Sequence, residues 1–253
     1  MRSWVDQWIL AVHGTAMDKW SITSDEYRSF FEELQRHPLG QLCTERRLER
    51  MISVLAQRLT SVTVVMENLY DSHNVSAVVR SAEGFGIDRL HVVEDPNPYQ
   101  RHPAILQGAD RWVDIRRHGR LIECLDQLRS EQFKICVADV GEGCVPLSEI
   151  PVDGPVAIVM GTEKHGLTVK ARELADVRYT IPMTGFTESF NVSVSAAVSL
   201  FSLTDRRRMH LEKNGELTVS QMRERADGWL KKTVKHKGMP PVLDAAADPR
   251  ANG

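Results

Sequence analysis

Polar side chains that could bind a ligand and align it for reaction lie in three loops, each of which follows an apolar run. The first loop leads into a helix that carries Asn74 and, one and a half turns later, Arg80. The second loop, residues 161–166, has a glycine at each end and Glu163 inside, and the third opens a helix at Asn191. Amide groups can orient a substrate, and an arginine can stabilise an anion. These residue types together predict a site that positions a ligand for chemistry.

Each feature taken alone also has a structural explanation. Asn74 and Asn191 are good N-cap residues. An arginine such as Arg80 often forms a surface ion pair, and Glu163 suits a turn. The string at residues 161–166 is neither a P-loop nor the dinucleotide-binding fingerprint. The prediction of one common site therefore depends on position, because loops at the carboxyl ends of parallel strands converge on one crevice.

The elements that must position these loops alternate between strands and helices. Apolar, β-branched runs predict strands at 62–66, 89–93, 112–115, 133–138, 155–160 and 177–181. Helical periodicity and caps predict helices at 44–59, 74–84, 121–128 and 169–175, another from 191 onward, and a first helix capped by Thr23 or Ser24. This order predicts an α/β fold with a mostly parallel sheet, flanked by N- and C-terminal helices.

Composition limits the class of protein. Of the 253 residues, 42% are hydrophobic, yet no run approaches the roughly 18 apolar residues of a membrane span. Residues 1–20 lack the apolar core of a signal peptide. The four cysteines show no metal-binding spacing. We therefore expect a cytoplasmic protein with reduced cysteines, no membrane association and no metal.

Two basic segments flank the central part of the chain. Between positions 205 and 237, ten Lys or Arg stand against five Asp or Glu, although the net charge of the whole chain is −2. Solvated helix faces often explain such charge, but basic flanks also suit RNA phosphates. The residues expected to contact RNA are Arg46, Arg47, Arg50, Arg206, Arg207, Arg208, Lys231 and Lys232.

These patterns divide the chain into five parts. Residues 1–43 form a helical extension without an assigned role, and residues 44–60 form a basic helix. Residues 61–204 form the α/β domain, residues 205–238 a basic helical extension, and residues 239–253 a disordered tail.

In combination and in this order, the three loops resemble the SpoU family of RNA ribose 2′-O-methyltransferases. The segments that carry the resemblance are 73–80, 160–166, and 181–183 with 189–195. The resemblance covers about residues 44–235. It implies S-adenosylmethionine as cofactor, a C-terminal trefoil knot, and a homodimer with active sites near its interface. Within the family, the sequence most resembles the branch that methylates guanosine 18 in the tRNA D-loop. The expected substrate is therefore tRNA.

The resemblance also implies roles for individual residues. The cofactor would be surrounded by Ala138, Gly161, Ile181 and Phe190, and the catalytic positions would be Arg80, Asn74, Glu163, Ser189 and Asn191. Arg80 would act either as a briefly neutral general base or as a cation that stabilises the developing oxyanion, and the second role needs no unusual protonation state. A ribosomal RNA methyltransferase of the same family and a catalytically silent RNA-binding protein are the alternatives, and the intact catalytic set argues against the second.

Overall fold

A single parallel sheet forms the centre of the computed structural model, which describes residues 20–69, 71–94, 98–162 and 166–236. Its strands are β1 (Val62–Glu67), β2 (Arg89–Val93), β3 (Asp114–His118), β4 (Lys134–Ala138), β5 (Val145–Pro146), β6 (Val156–Met160) and β7 (Val177–Thr180). They lie in the order β3-β2-β1-β6-β4-β7-β5, and each neighbouring pair is parallel. The predicted α/β fold is confirmed.

Helices cover both faces of this sheet. They are α1 (Ser24–Arg36), α2 (Glu45–Leu55), α3 (Ser72–Gly84), α4 (Pro103–Leu106), α5 (Leu121–Ser130), α6 (Val169–Glu173), α7 (Val192–Leu211) and α8 (Val219–His236). Successive residues of β1 face opposite sides, so that Val64 packs with α3 and α7 while Val65 packs with α5 and α6. Every residue of β1 and β6 is buried, which explains their nearly continuous apolar sequence.

Helices from the N- and C-terminal parts of the chain pack together in a separate helical layer. α1, α2 and α8 share their own apolar core, in which Phe30, Ile52 and Leu230 are almost completely buried. α1 begins at the predicted cap Thr23, which forms a reciprocal capping box with Glu26. Residues 20–43 therefore help to hold α2 and α8 together.

Several element boundaries differ from the sequence-based expectation, and the helix predicted at 44–59 ends four residues early, at Leu55. α3 begins at Ser72, two residues early, because the side chain of Asp71 accepts a hydrogen bond from the backbone N–H of His73 and caps it. β3 begins at Asp114 instead of position 112, since a short 3₁₀ turn at Ala109–Arg111 precedes it. The two-residue strand β5 lies inside the predicted loop 141–154 and extends the sheet edge beyond β7.

Arg206, Arg207 and Arg208, which we expected to face RNA, are instead bound within the fold. Arg207 is 7% exposed and donates to the Oγ of Ser61 at 2.8 Å, and it forms an ion pair with Glu216 at 3.4 Å. Arg206 and Arg208 are half-buried and donate to backbone carbonyl oxygens. Contact of these three side chains with RNA phosphates stays a prediction, but the fold already binds their guanidinium groups, because three successive positions of α7 point into three different neighbouring segments.

Two expectations from the resemblance or the sequence stay predictions at this level. The trefoil threading of the chain is one, and the tail at 239–253 is the other, since it lies outside the described residues. Within the described ranges, none of the helices combines the length and the apolar character that crossing a membrane requires.

Candidate active site

A pocket of about 480 Å³ lies where β4, β6 and β7 end. Ala138 closes β4, Gly161 follows β6, and Ile181 follows β7, while Phe190 comes from the loop before α7. The volume falls within the range of roughly 300–1,000 Å³ that is typical of small-molecule sites. The structure thus brings the four predicted cofactor residues together at the carboxyl edge of the sheet.

Close approach of two backbone segments requires a glycine at position 161. A Cβ there would lie 2.3 Å from the carbonyl oxygen of Gly166 and 2.5 Å from the backbone nitrogen of Leu167. Thr162 and Gly166 close the loop with a pair of backbone hydrogen bonds of 2.9 and 2.8 Å. The loop therefore turns back tightly against the pocket. Glu163, which the resemblance makes a catalytic position, lies outside the described residues.

A buried carboxylate that the sequence pattern did not identify holds the end of this loop. Glu67, the last residue of β1, is 4% exposed. Its Oε1 accepts a hydrogen bond from the Oγ1 of Thr168 at 2.6 Å, and its Oε2 accepts one from the backbone nitrogen of Thr168 at 3.2 Å. Thr168 in turn caps α6 by accepting from the backbone nitrogen of Ala171. An acidic residue at the end of an otherwise apolar strand was the available signal.

Asn191 connects the pocket to α3. Its Oδ1 accepts from the backbone N–H of Ser193 at 2.8 Å, which confirms the predicted N-cap. Its Nδ2 donates to the Oδ1 of Asn74 at 3.1 Å. Asn74 is not a cap, because it lies inside the first turn of α3. The two predicted amides therefore meet at the edge of the pocket, whose wall also contains Ser189.

Arg80 lies apart from this group. Six residues of α3 separate it from Asn74, which corresponds to about 9 Å along the helix axis. Its side chain is exposed, and Nη1 donates to the carbonyl oxygen of Ile105 at 3.4 Å. The structure places Arg80 outside the residues that line the pocket, so a substrate would have to bridge Arg80 and Asn191.

Asp139 forms a charged cluster in the pocket wall that the sequence pattern did not predict. Arg172 contacts its carboxylate through Nε at 3.0 Å and Nη2 at 3.3 Å, and the Nε of Arg178 lies at 3.1 Å. Burial by itself would raise the pKa of Asp139, but hydrogen bonds from Arg172, the Val140 backbone and Arg178 outweigh it and lower that pKa. This cluster needs β4, β7 and α6 to be neighbours, which no local pattern reveals.

The other cations predicted to contact RNA lie on the helical layer. Arg46, Arg47 and Arg50 are exposed on α2. On α8, Lys231 pairs with Asp227 at 2.9 Å, and Lys232 donates to a backbone carbonyl at 2.9 Å. This layer therefore presents positive charge from both flanks of the chain.

One group of soft donor atoms lies between the sheet and α5. The Nδ1 of His91 and the Nε2 of His118 are 2.8 Å apart, with the thiol of Cys124 nearby. Burial lowers the pKa of His91 to about 3 and raises that of Cys124 to about 12. These three side chains form part of the core beside α5, and the Nε2 of His91 has no hydrogen-bond partner among the described residues.

Comparison with known proteins agrees with this geometry. Residues 61–201 match the SpoU rRNA Methylase family. The tRNA (guanosine(18)-2'-O)-methyltransferase of Escherichia coli K12 is 32% identical over 201 residues, which is 77% of this chain and 88% of that protein. The protein of the same name from Borreliella burgdorferi is 31% identical over 170 residues, covering 67% of this chain and 78% of that protein.

Solved structures give the same result. The crystal structure of the A. aeolicus TrmH/SpoU tRNA modifying enzyme superposes with a TM-score of 0.69 at 26% identity, covering 75% of this chain and 98% of that one. The chain belongs to the SpoU methylase family.

Proposed function

We propose that this protein methylates the ribose 2′-hydroxyl of guanosine 18 in tRNA, with S-adenosylmethionine as methyl donor. The observation that carries the proposal is the pocket at the strand ends, where the predicted cofactor residues and the Asn74–Asn191 pair lie side by side. The tRNA (guanosine(18)-2'-O)-methyltransferases that it resembles extend the proposal from the family to this substrate. A tRNA substrate also implies a cytoplasmic location.

The pocket suits this cofactor in size and chemistry. Met160, Ile181 and Phe190 supply an apolar wall for an adenine ring, and Gly161, in the tight loop after β6, lines the same pocket. Bound there, S-adenosylmethionine would supply an activated methyl group together with its leaving group. The protein's remaining task is to align the ribose and to help remove a poorly acidic proton.

Three side chains divide that task. Asn191 is fixed by its cap and by Asn74, so its amide presents a rigid polar edge to the ribose at the pocket mouth. Arg80 stabilises the oxyanion that develops on the 2′-oxygen as the hydroxyl proton passes to water, because a guanidinium is a permanent cation at physiological pH. The substrate itself brings Arg80 into contact, since catalytic hydrogen bonds often form only in the complex.

Substitution of Arg80 tests this role. Arg80→Ala should abolish transfer of labelled methyl groups to a tRNA transcript while leaving the binding of S-adenosylhomocysteine unchanged. Arg80→Lys keeps a cation and should retain part of the rate, with little dependence on pH. A rate of Arg80→Lys that rises steeply with pH would instead assign a general base to this position. Wild-type activity of Arg80→Ala would refute a catalytic role.

Ribosomal RNA is the second candidate substrate, because the matching family is described as rRNA methylases. Parallel assays with unmodified tRNA and unmodified ribosomal RNA discriminate between the two. Label in ribosomal RNA alone would keep the chemistry and replace the substrate.

We also propose that the protein is a homodimer. Val194, Val198 and Phe201 follow one another at helical spacing on α7 and are 37–62% exposed, and the ring of Phe201 contacts Phe85. An exposed apolar stripe of this kind favours association with a second copy. Phe201→Glu should convert a dimer to a monomer in light scattering, and an unchanged mass would exclude α7 from the interface.

A further inference from the structure

A second, smaller pocket lies in the helical layer, close to the amino end of β3. It encloses about 210 Å³, and we call it the Trp112 pocket. Its lining comes from α2, from the end of α3, from a residue two positions before β3 and from α8: Arg47, Arg50, Met51, Val54, Glu83, Trp112 and Trp229. It shares no residue with the pocket at the strand ends. Neither the predicted active site nor the predicted cofactor contacts account for it.

Two tryptophans form its aromatic part. Their ring centroids lie 5.3 Å apart at an interplanar angle of 76°. Trp229 is 6% exposed and packs in the core of the helical layer, whereas Trp112 is partly exposed. The guanidinium of Arg47 lies 4.8 Å from the ring centroid of Trp112. A flat aromatic face that already attracts a planar cation can also stack a flat aromatic ligand.

The charged part of the pocket is arranged around that face. Arg47 and Arg50 are exposed on its α2 side and provide positive charge. Glu83 is held in place by the fully buried Arg58, whose Nη2 donates to it at 2.8 Å. A fixed carboxylate can accept hydrogen bonds from the amino group of a base, while exposed arginines can contact the phosphates beside it.

We propose that the Trp112 pocket binds one unstacked nucleobase of the RNA substrate. The base would stack on Trp112, with Arg47 and Arg50 turned to the adjoining phosphates. The volume is below the roughly 300–1,000 Å³ of a drug-sized site, which suits one ring system rather than a whole cofactor. This inference depends on the proposed function only in that the substrate is an RNA. It adds a contact outside the pocket at the strand ends, so it concerns RNA affinity and not the chemical step.

Substitutions at Trp112 test the stacking contact directly. Trp112→Leu keeps apolar volume but removes the aromatic face, and we expect it to weaken binding of a tRNA transcript about 5- to 100-fold. Trp112→Phe keeps an aromatic face and should restore most of the affinity. The slope of log affinity against log salt should stay the same for both variants, because stacking releases no counterions. Arg47→Gln should instead reduce that slope by about one.

Phe31→Leu serves as the matched control. It is also an aromatic-to-leucine change at a partly buried position of the helical layer, but it lies outside the Trp112 pocket. Its tRNA affinity should equal that of the wild type. Equal loss in Phe31→Leu and Trp112→Leu would assign the effect to stability of the layer and overturn the proposal.

Two further results separate this inference from the proposed function. Unchanged tRNA affinity in Trp112→Leu, with methyl transfer by the wild type intact, would overturn the nucleobase site alone. Binding of tRNA that depends on Trp112, in a protein that transfers no methyl group to RNA, would support the nucleobase site and refute the proposed activity. S-adenosylhomocysteine affinity should be the same in all four variants.

Discussion

Replacement of Gly161 by alanine tests whether the tight loop after β6 shapes the cofactor pocket. A Cβ at this position would lie 2.3 Å from the carbonyl oxygen and 2.4 Å from the carbonyl carbon of Gly166. Ordinary van der Waals contact begins at 3.4 Å, so the opposing backbone must retreat by about 1 Å. Both atoms belong to the backbone, so the loop itself has to move.

The size of that movement sets the expected effect. Overpacking of this kind costs about 1–3 kcal/mol of stability. A misplacement of about 1 Å near a reacting group can lower a rate on the order of 100-fold. We therefore expect Gly161→Ala to remain folded but to lose most of its activity. Calorimetric titration with S-adenosylhomocysteine and methyl transfer to saturating tRNA measure the pocket and the reaction separately.

Gly154→Ala is the matched control, because a Cβ at Gly154 meets no atom within 4 Å. It precedes β6, whereas Gly161 follows the same strand. Wild-type binding and turnover are expected for Gly154→Ala. The same outcome for Gly161→Ala would refute the argument that the close approach of this loop forms the binding wall.

Three other substitutions test individual side chains, of which Glu216 also accepts hydrogen bonds from the backbone N–H groups of Thr60 and Ser61. Asn191→Asp keeps the helix cap but removes the amide that donates to Asn74. The thermal unfolding temperature should therefore stay near that of the wild type while the rate of methyl transfer falls. An unchanged rate would leave Asn191 with a structural role only. Glu216→Ala leaves the buried guanidinium of Arg207 without its carboxylate, and the free energy of unfolding in urea should drop by about 3–5 kcal/mol; a loss below about 1 kcal/mol would show that the pair is not needed. The pKa of Asp139 is lowered in the folded state, so its stabilisation is present above about pH 4 and is lost as the pH falls further. Asp139→Asn should therefore melt below the wild type at pH 7, and the difference should shrink below pH ~4; a difference independent of pH would contradict this.

The predictable part of the fold is the part determined by short-range sequence. The strand at 89–93 has its predicted bounds, and α1 and α7 begin at the predicted caps Thr23 and Asn191. Caps and periodicity involve residues within one or two turns of each other, so a local pattern is sufficient. The strand order could not be predicted from local patterns, because no residue of β6 indicates that its neighbours in the sheet will be β1 and β4.

The same distinction applies to the candidate site. The three polar loops could be found by their position after strands. The cluster of Asp139 with Arg172 depends on elements that are far apart in the sequence. Arg207 shows most clearly what the sequence cannot predict. Its side chain is only 7% exposed, yet an arginine in a basic run looks the same in the sequence whether its guanidinium is buried or in solvent. The charge of a segment can be counted from its sequence, but whether a charged side chain is buried depends on the segments that pack against it in the fold.

The central claim is transfer of a methyl group to the 2′-oxygen of guanosine 18. The most direct measurement uses two unmodified tRNA transcripts that differ only at nucleotide 18, where one carries guanosine and the other carries 2′-deoxyguanosine. With labelled S-adenosylmethionine, we expect label in the first transcript, no label in the second, and no label in either with Arg80→Ala. Equal labelling of both transcripts by the wild-type protein would contradict it.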